Sequence, residues 1–298
     1  MPVRETFSAS SKTLARQLGL RRSGQRYIGN CPACGYSNSF AVSDGADRTV
    51  VFCHACQDTD AVISAIRRRG FWQHGTDTKK SNLAQMPVGE LSRAGVRARE
   101  LWIQAAAAKG TLVDTYLQSR GIVEAIPPTL RFLSQAQHSP SNQLLPAMIA
   151  AVTVWPERRP CAVHRTFLAV HGNGKAPVDT PRMTLGPCRG GAVRLAEAAD
   201  LLMVGEGVET CLAAMQATGQ PAWAALSTAG LRSLELPEHV KEVIVLADGD
   251  PPGEEAAQYA ARRWVRVGRR VRIARPPKGQ DFNDLLLNGA RSTEERAT

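Results

Sequence analysis

Leu201-Leu-Met-Val-Gly-Glu206-Gly and Val243-Ile-Val-Leu-Ala-Asp248-Gly-Asp250 are the stretches whose reading decides the fold. Each is a short apolar run without polar alternation, the pattern of a strand buried on both faces. Each runs straight into a carboxylate. Between and after them the pattern alternates: Val208 to Thr218 predicts a helix, Ala222–Leu226 a strand, Glu254 to Val267 a helix and Val271–Ala274 a last strand. Buried strands separated by helices imply an α/β unit with a mainly parallel sheet covered on both faces. Open sheets of this kind bind ligands at the carboxyl ends of their strands, which is where Glu206, Asp248 and Asp250 stand. Positions i and i+2 leaving a strand point the same way, so Asp248 and Asp250 can share one cation or bridge two. Hard carboxylate oxygens select Mg2+ or Mn2+, ions that in turn hold substrate phosphates. Glu209 falls one helical turn after Glu206. A helix-dipole acid and a catalytic acid are both open readings of it.

Upstream, residues 91–195 predict a second, α+β subdomain. A helical region runs from Leu91 to Gln118 with a break near Gly110, and β-like runs follow at Met148–Val154, Ala162–Ala169 and Ala192–Leu195. Arg165, Lys175, Arg182, Arg189 and Arg194 lie in or beside its loops. They are candidates to bind a triphosphate or a template, with solvated surface charge as the alternative for each. Gly172-Asn-Gly174-Lys175 lacks the spacing of a phosphate loop, because Ala169 stands where the first glycine belongs and Ala176 where the Ser or Thr belongs. No helicase motor is legible. Cys161, Cys188 and Cys211 are isolated and read as packed residues, and His164 and His171 stay unassigned.

The N-terminal part, residues 10–74, is organised by Cys31-Pro-Ala-Cys34 and Cys53-His-Ala-Cys56. Two C-x2-C turns joined by a hairpin present four thiolates tetrahedrally, the geometry of structural zinc, with His54 as an alternative ligand. Strand-like runs Ser39–Val42 and Thr49–Phe52 flank a turn, and Asp60 to Arg69 predicts a helix. Arg21, Arg22, Arg26, Arg48, Arg67, Arg68 and Arg69 crowd around the site, interleaved with Tyr27, Tyr36, Phe40 and Phe52. Cations beside stackable rings suit single-stranded nucleic acid, although Phe40 and Phe52 are expected to form the module's small core. Residues 75–90 are polar and read as a linker.

The bulk numbers agree. At 298 residues the chain has room for two or three units at about 100–200 residues each. A net charge of +10 favours an acidic partner, nucleic acid foremost. No secretory signal and no apolar run near ~18 residues is apparent, so a cytoplasmic protein without membrane contact is expected.

The sequence V-G-E-G before a helix, then L-A-D-G-D-P-P-G-E-E-A-A, resembles the Toprim domain shared by bacterial primases, topoisomerases and some nucleases. Its D-x-D form at Asp248, Asp250, Gly253, Ala256 and Ala257 is similar to the primase branch. Gly279-Gln280-Asp281-Phe282-Asn283-Asp284-Leu285 resembles the acidic segment that follows in primases, with Gln280 where a lysine is common. The cysteine module resembles a primase zinc-binding domain. The segment from His164 to Leu195 is similar to the region before Toprim in plasmid and phage primase-like proteins. The resemblance implies a DNA primase that makes short RNA primers on single-stranded DNA from nucleoside triphosphates, for a plasmid, phage or integrated element, with a separate replicative helicase as partner. It implies Glu206, Asp248, Asp250 and Asp281 as catalytic, with the first three holding Mg2+ or Mn2+. Glu206 is alternatively a general base. It assigns a Toprim domain to residues 196–290. A Toprim nuclease and a non-catalytic zinc-ribbon replication accessory protein are the competing readings. A topoisomerase is disfavoured for want of a nucleophilic tyrosine domain.

Overall fold

The computed structural model describes residues 10–33, 35, 37–45, 49–53, 59–71, 93–277 and 280–286. The chain divides into two compact units, residues 1–90 and 91–298.

In the first unit, α1 (Ser11–Gln17) is followed by β1 (Arg21–Ser23), β2 (Arg26–Gly29), β3 (Phe40–Asp44), β4 (Thr49–Cys53) and α2 (Thr59–Arg68). The strands form an antiparallel sheet in sequence order. The Asp44 carboxylate fastens the start of α1, accepting from the Ser11 amide at 2.9 Å and its hydroxyl at 2.8 Å. Period-two alternation sorts the side chains of β3 and β4. Phe40, Val42, Val51 and Cys53 are buried, whereas Ala41, Ser43, Val50 and Phe52 turn to the opposite face. Phe40 is therefore core, as expected. Phe52 is not: it is 36% exposed and lines a shallow open concavity with Arg26, Ala41, Ser43 and Val50.

The second unit runs α3 (Arg93–Gln104), β5 (Ala106–Ala107), α4 (Leu112–Ser119), β6 (Leu130–His138), β7 (Gln143–Val154), β8 (Ala162–Phe167), β9 (Arg182–Leu185), β10 (Gly191–Arg194), β11 (Leu201–Gly205), α5 (Val208–Thr218), β12 (Ala222–Ala224), α6 (Thr228–Ser233), β13 (Glu242–Leu246), α7 (Pro251–Arg266) and β14 (Arg270–Ala274). One ten-stranded sheet runs through it in the order β14-β13-β11-β12-β10-β7-β6-β5, with β8 and β9 branching from β7. The four strands β14, β13, β11 and β12 are parallel, and every other pairing is antiparallel. The expected parallel sheet is thus one end of a larger mixed sheet, joined to the upstream region through β10.

Both faces of the parallel end are covered. Met203 and Leu246 pack with Val208, Cys211 and Leu212 of α5 and with Tyr116 and Leu117 of α4. Leu202, Val204, Val243 and Val245 pack on the other face with Leu231 of α6 and Ala256, Ala260 and Trp264 of α7. A third cluster lies at the antiparallel end, where Ala98 of α3 packs with Ile149, Val163 and Phe167. Two-sided cover is what makes β11 and the Val243–Leu246 run of β13 apolar. Among the described residues, no helix is long and apolar enough to cross a membrane.

Candidate metal centre and its cationic surround

Parallel pairing sets Gly205 opposite Leu246, so the chain leaves β11 at Glu206 and β13 at Asp248 on neighbouring strands and at one end of the sheet. The Leu226 amide donates to the Glu206 carbonyl at 2.9 Å and holds that strand end in place. Glu206 Oε1 is buried and has no hydrogen-bond partner among the described residues. Burial first, then repulsion from Asp248 and Asp250, pushes the Glu206 carboxyl up to about 8, against the opposing pull of Arg182 and Arg232. Asp248 is raised as well, by burial and then by Asp250, with Asp281 adding to it. The acids that the sequence places at strand ends therefore feel one another.

Asp250 and Asp281 have a further job. Asp250 is the N-cap of α7: its Oδ1 accepts from the Gly253 amide at 2.7 Å, with Pro251 at the first helical position. A Cβ on Gly253 would stand 2.8 Å from Asp250 Oδ1 and 3.2 Å from the Asp248 carbonyl oxygen. Only glycine lets the D-G-D turn close onto the helix. Asp281 Oδ1 accepts from the Asp284 amide at 2.7 Å and Asp284 Oδ2 accepts from the Asp281 amide at 2.9 Å. Asp281 Oδ2 also lies 3.6 Å from Arg120. No three His, Cys, Asp or Glu side chains among the described residues converge as a ready coordination group. The donor chemistry nevertheless fits a divalent cation. Glu206, Asp248 and Asp250 offer hard oxygens, one of them buried without a partner, in a group whose charges repel.

The predicted cations separate. Arg182 opposes the raised carboxyls of both Glu206 and Asp248, and its charge is felt at Tyr116, His164, Lys175 and Glu209. Lys175 lies 3.7 Å from Glu209. Arg165 sits elsewhere. It is buried, donates to the Gln137 carbonyl at 3.1 Å and lies over the Phe167 ring at 5.6 Å. Burial lowers its guanidinium to about 10. Arg194 is held between the Trp155 and Trp223 rings, at 5.4 and 5.0 Å, and donates to the Glu157 carbonyl at 2.7 Å. Arg189 is exposed on the turn before β10. Tyr116, Arg120 and Arg232, which the sequence gives no reason to single out, join the surround.

In the first unit, Cys31 and Cys53 are buried. The ladder aligns Gly29, Phe40 and Cys53 across the sheet, which brings the end of β2 and the end of β4 to the same edge. The Gly35 amide donates to the Cys31 carbonyl at 2.9 Å, closing the first knuckle, and the Ser39 hydroxyl lies 3.3 Å from Cys53 Sγ. Two thiols at one sheet end are compatible with a thiolate zinc site. Cys34, Tyr36, Arg48, His54 and Cys56 lie outside the described residues.

Residues 201–292 match the model of the Toprim domain, and residues 92–195 match a domain of unknown function, DUF7146. No curated protein matches the chain by sequence. Among solved structures, the zinc-binding and RNA polymerase domains of the Aquifex aeolicus primase resemble it at 15% identity and a TM-score of 0.45, covering 97% of this chain and 84% of that one. The RNA polymerase domain of Mycobacterium tuberculosis primase DnaG does so at 16% identity and a TM-score of 0.35, covering 68% and 75%.

Proposed function

We propose, from the premise that residues 201–292 form a Toprim domain, that the chain is a primase-type nucleotidyltransferase. It makes short RNA primers on single-stranded DNA in the cytoplasm, for a plasmid, phage or integrated element, beside a separate replicative helicase. The observation that carries this reading is the buried, unpartnered Glu206 oxygen beside Asp248 at the carboxyl end of the parallel strands. Glu206, Asp248 and Asp250 hold Mg2+ or Mn2+, which supplies neutralisation of the charge that builds up in phosphoryl transfer. Arg182 and Lys175 hold the polyphosphate of the incoming nucleoside triphosphate. Asp281 keeps the following helical turn and Arg120 in place. The N-terminal unit, with zinc on Cys31, Cys34, Cys53 and Cys56, takes the template across the face that carries Arg26 and Phe52.

The test is incubation with single-stranded DNA, labelled ribonucleotides and Mg2+ or Mn2+, with Asp248→Ala in parallel. Short RNA products that vanish in the variant support priming. Cleavage of the DNA without synthesis overturns it in favour of a Toprim nuclease, and DNA binding with neither activity in favour of an accessory protein. Replacement of Cys31 and Cys34 releases zinc; unchanged bound metal refutes the thiolate assignment.

A further inference from the structure

Glu209 is a buried acid that the acidic centre does not use. Its side chain leaves the first turn of α5, three residues beyond Glu206, and the residue is only 7% exposed. It accepts a 2.6 Å hydrogen bond from the Tyr116 hydroxyl and pairs with the Lys175 ammonium at 3.7 Å. Tyr116 and Lys175 both come from residues 92–195, whereas Glu209 belongs to the Toprim domain. One carboxylate thus ties the two regions together beside the metal centre.

Lys175 is delivered there by backbone geometry. It bridges to Leu168 at the foot of a tight hairpin, closed by the Ala169 amide to the Gly174 carbonyl at 2.9 Å. The tip of this hairpin rests on α4. Gly172 has φ +74°, and a Cβ there would stand 2.9 Å from Thr115 Cβ and 3.3 Å from the Leu112 carbonyl oxygen. Tyr116 is the next residue of the same helix. The hairpin, α4 and Glu209 therefore form one packed assembly that aims a lysine. The Lys175 side chain is still 34% exposed, so its ammonium can meet Glu209 on one side and an anion on the other. The charge of Arg182 is felt by Glu206, Asp248, Lys175 and Glu209 alike, so it acts on both acidic groups.

We infer that Glu209 is a positioning residue: through its ion pair with Lys175, and braced by Tyr116, it holds the Lys175 ammonium as a fixed post for the polyphosphate of a metal-bound nucleotide at the acidic centre. The inference rests on the nucleotide-binding reading above and assigns Glu209 no contact with metal or substrate. A long lysine side chain loses much rotamer freedom when it grips an anion, and an ion pair made in advance removes part of that loss before binding.

Mn2+-ATP binding and Mn2+ binding alone are measured by titration on the full chain for wild type, Glu209→Gln, Tyr116→Phe, Lys175→Ala and the Glu209→Gln/Lys175→Ala pair. Glu209→Gln weakens Mn2+-ATP binding about tenfold, the scale of a lost close charge pair, and Mn2+ alone binds as in wild type. Tyr116→Phe, which removes one hydroxyl, has a smaller effect in the same direction. Once Lys175 is alanine, Glu209→Gln adds nothing, because it acts only through that ammonium. Additive losses in the double variant overturn the inference, as does weaker Mn2+ binding in Glu209→Gln, which would make Glu209 a ligand. Wild-type affinity in both Glu209→Gln and Tyr116→Phe overturns it too. A chain that cuts DNA instead of priming, yet shows the non-additive pattern, refutes the primase reading and leaves this one standing.

Discussion

The parallel end of the ten-stranded sheet supplies the acids of the candidate site and the antiparallel end supplies Arg182, and the two ends place their charges by different rules. At the parallel end, position along the chain is position in space: Glu206 and Asp248 each follow a buried strand, and parallel pairing brings those strand ends level. At the antiparallel end, the parity of a residue decides its fate. On the β8–β9 ladder, Arg182 pairs with Thr166 and His164 with Thr184, whereas Arg165 pairs with Met183. Neighbours along a strand face opposite ways. Arg182 shares its face with His164, where the charges of Glu209 and Lys175 are felt. Arg165 shares its face with Val163 and Phe167, under α3. Two arginines on paired strands thus end up as a charge felt at the acidic centre and a buried brace.

Variants can break or sharpen this contrast. The largest effect belongs to Asp248→Ala, which lowers metal-dependent turnover about 10³-fold, the scale of losing several kcal/mol of transition-state stabilisation; steady-state assays across Mg2+ concentration read it. Arg182→Ala comes next, raising the apparent KM for nucleotide about tenfold as one charge-assisted contact is lost. It also raises the Glu206 carboxyl further, since Arg182 opposes that shift.

Arg165→Met gives the opposite profile. It lowers stability by about 1.5–3 kcal/mol, the scale of a hydrogen bond from a charged group, with nucleotide KM unchanged; denaturant melts beside kinetics separate the two. Were Arg165→Met to raise KM as Arg182→Ala does, the facing rule would be broken.

The last effect is a pH dependence of stability. Glu206 is held near 8 in the folded chain against its ordinary 4.5, so between those values the folded state binds more protons than the unfolded state. Its contribution to stability is fully present below the lower value and is lost as pH rises through about 8. In EDTA, Glu206→Gln removes that decline: its melting temperature exceeds the wild type's by about 10 °C at pH 9 and not at pH 5. One kcal/mol corresponds to about 2–4 °C for a chain of this size. Equal slopes for the two proteins would show that Glu206 is not held in this way.

Much of the parallel end was legible because its signals are local. The apolar runs of β11 and β13, the helices after them and the D-G-D turn each declare themselves within a few residues. The antiparallel end was less so. Leu130–His138 forms β6, yet its register slips between Leu133 and Ala136, and the resulting irregular burial hides the period-two pattern. Arg182–Leu185 alternates polar and apolar residues but is only four residues long, too short a run to stand out. Phe52 was expected in the core because it is aromatic, and the pleat turned it outward. Asp250 and Asp281 were legible as acids but not as helix caps, since capping depends on which amide the carboxylate meets.

By itself the sequence determined the α/β class, the two cysteine pairs and the acids at the strand ends. These follow from hydrophobic period and from spacing along the chain, which no distant contact can change. Tertiary structure decided which cations face those acids and how Glu209 ties Tyr116 to Lys175. Those contacts join residues as far apart as Tyr116 and Glu209. They depend on strand parity, on Gly172 lying flat against α4 and on one shared sheet, none of which is encoded locally.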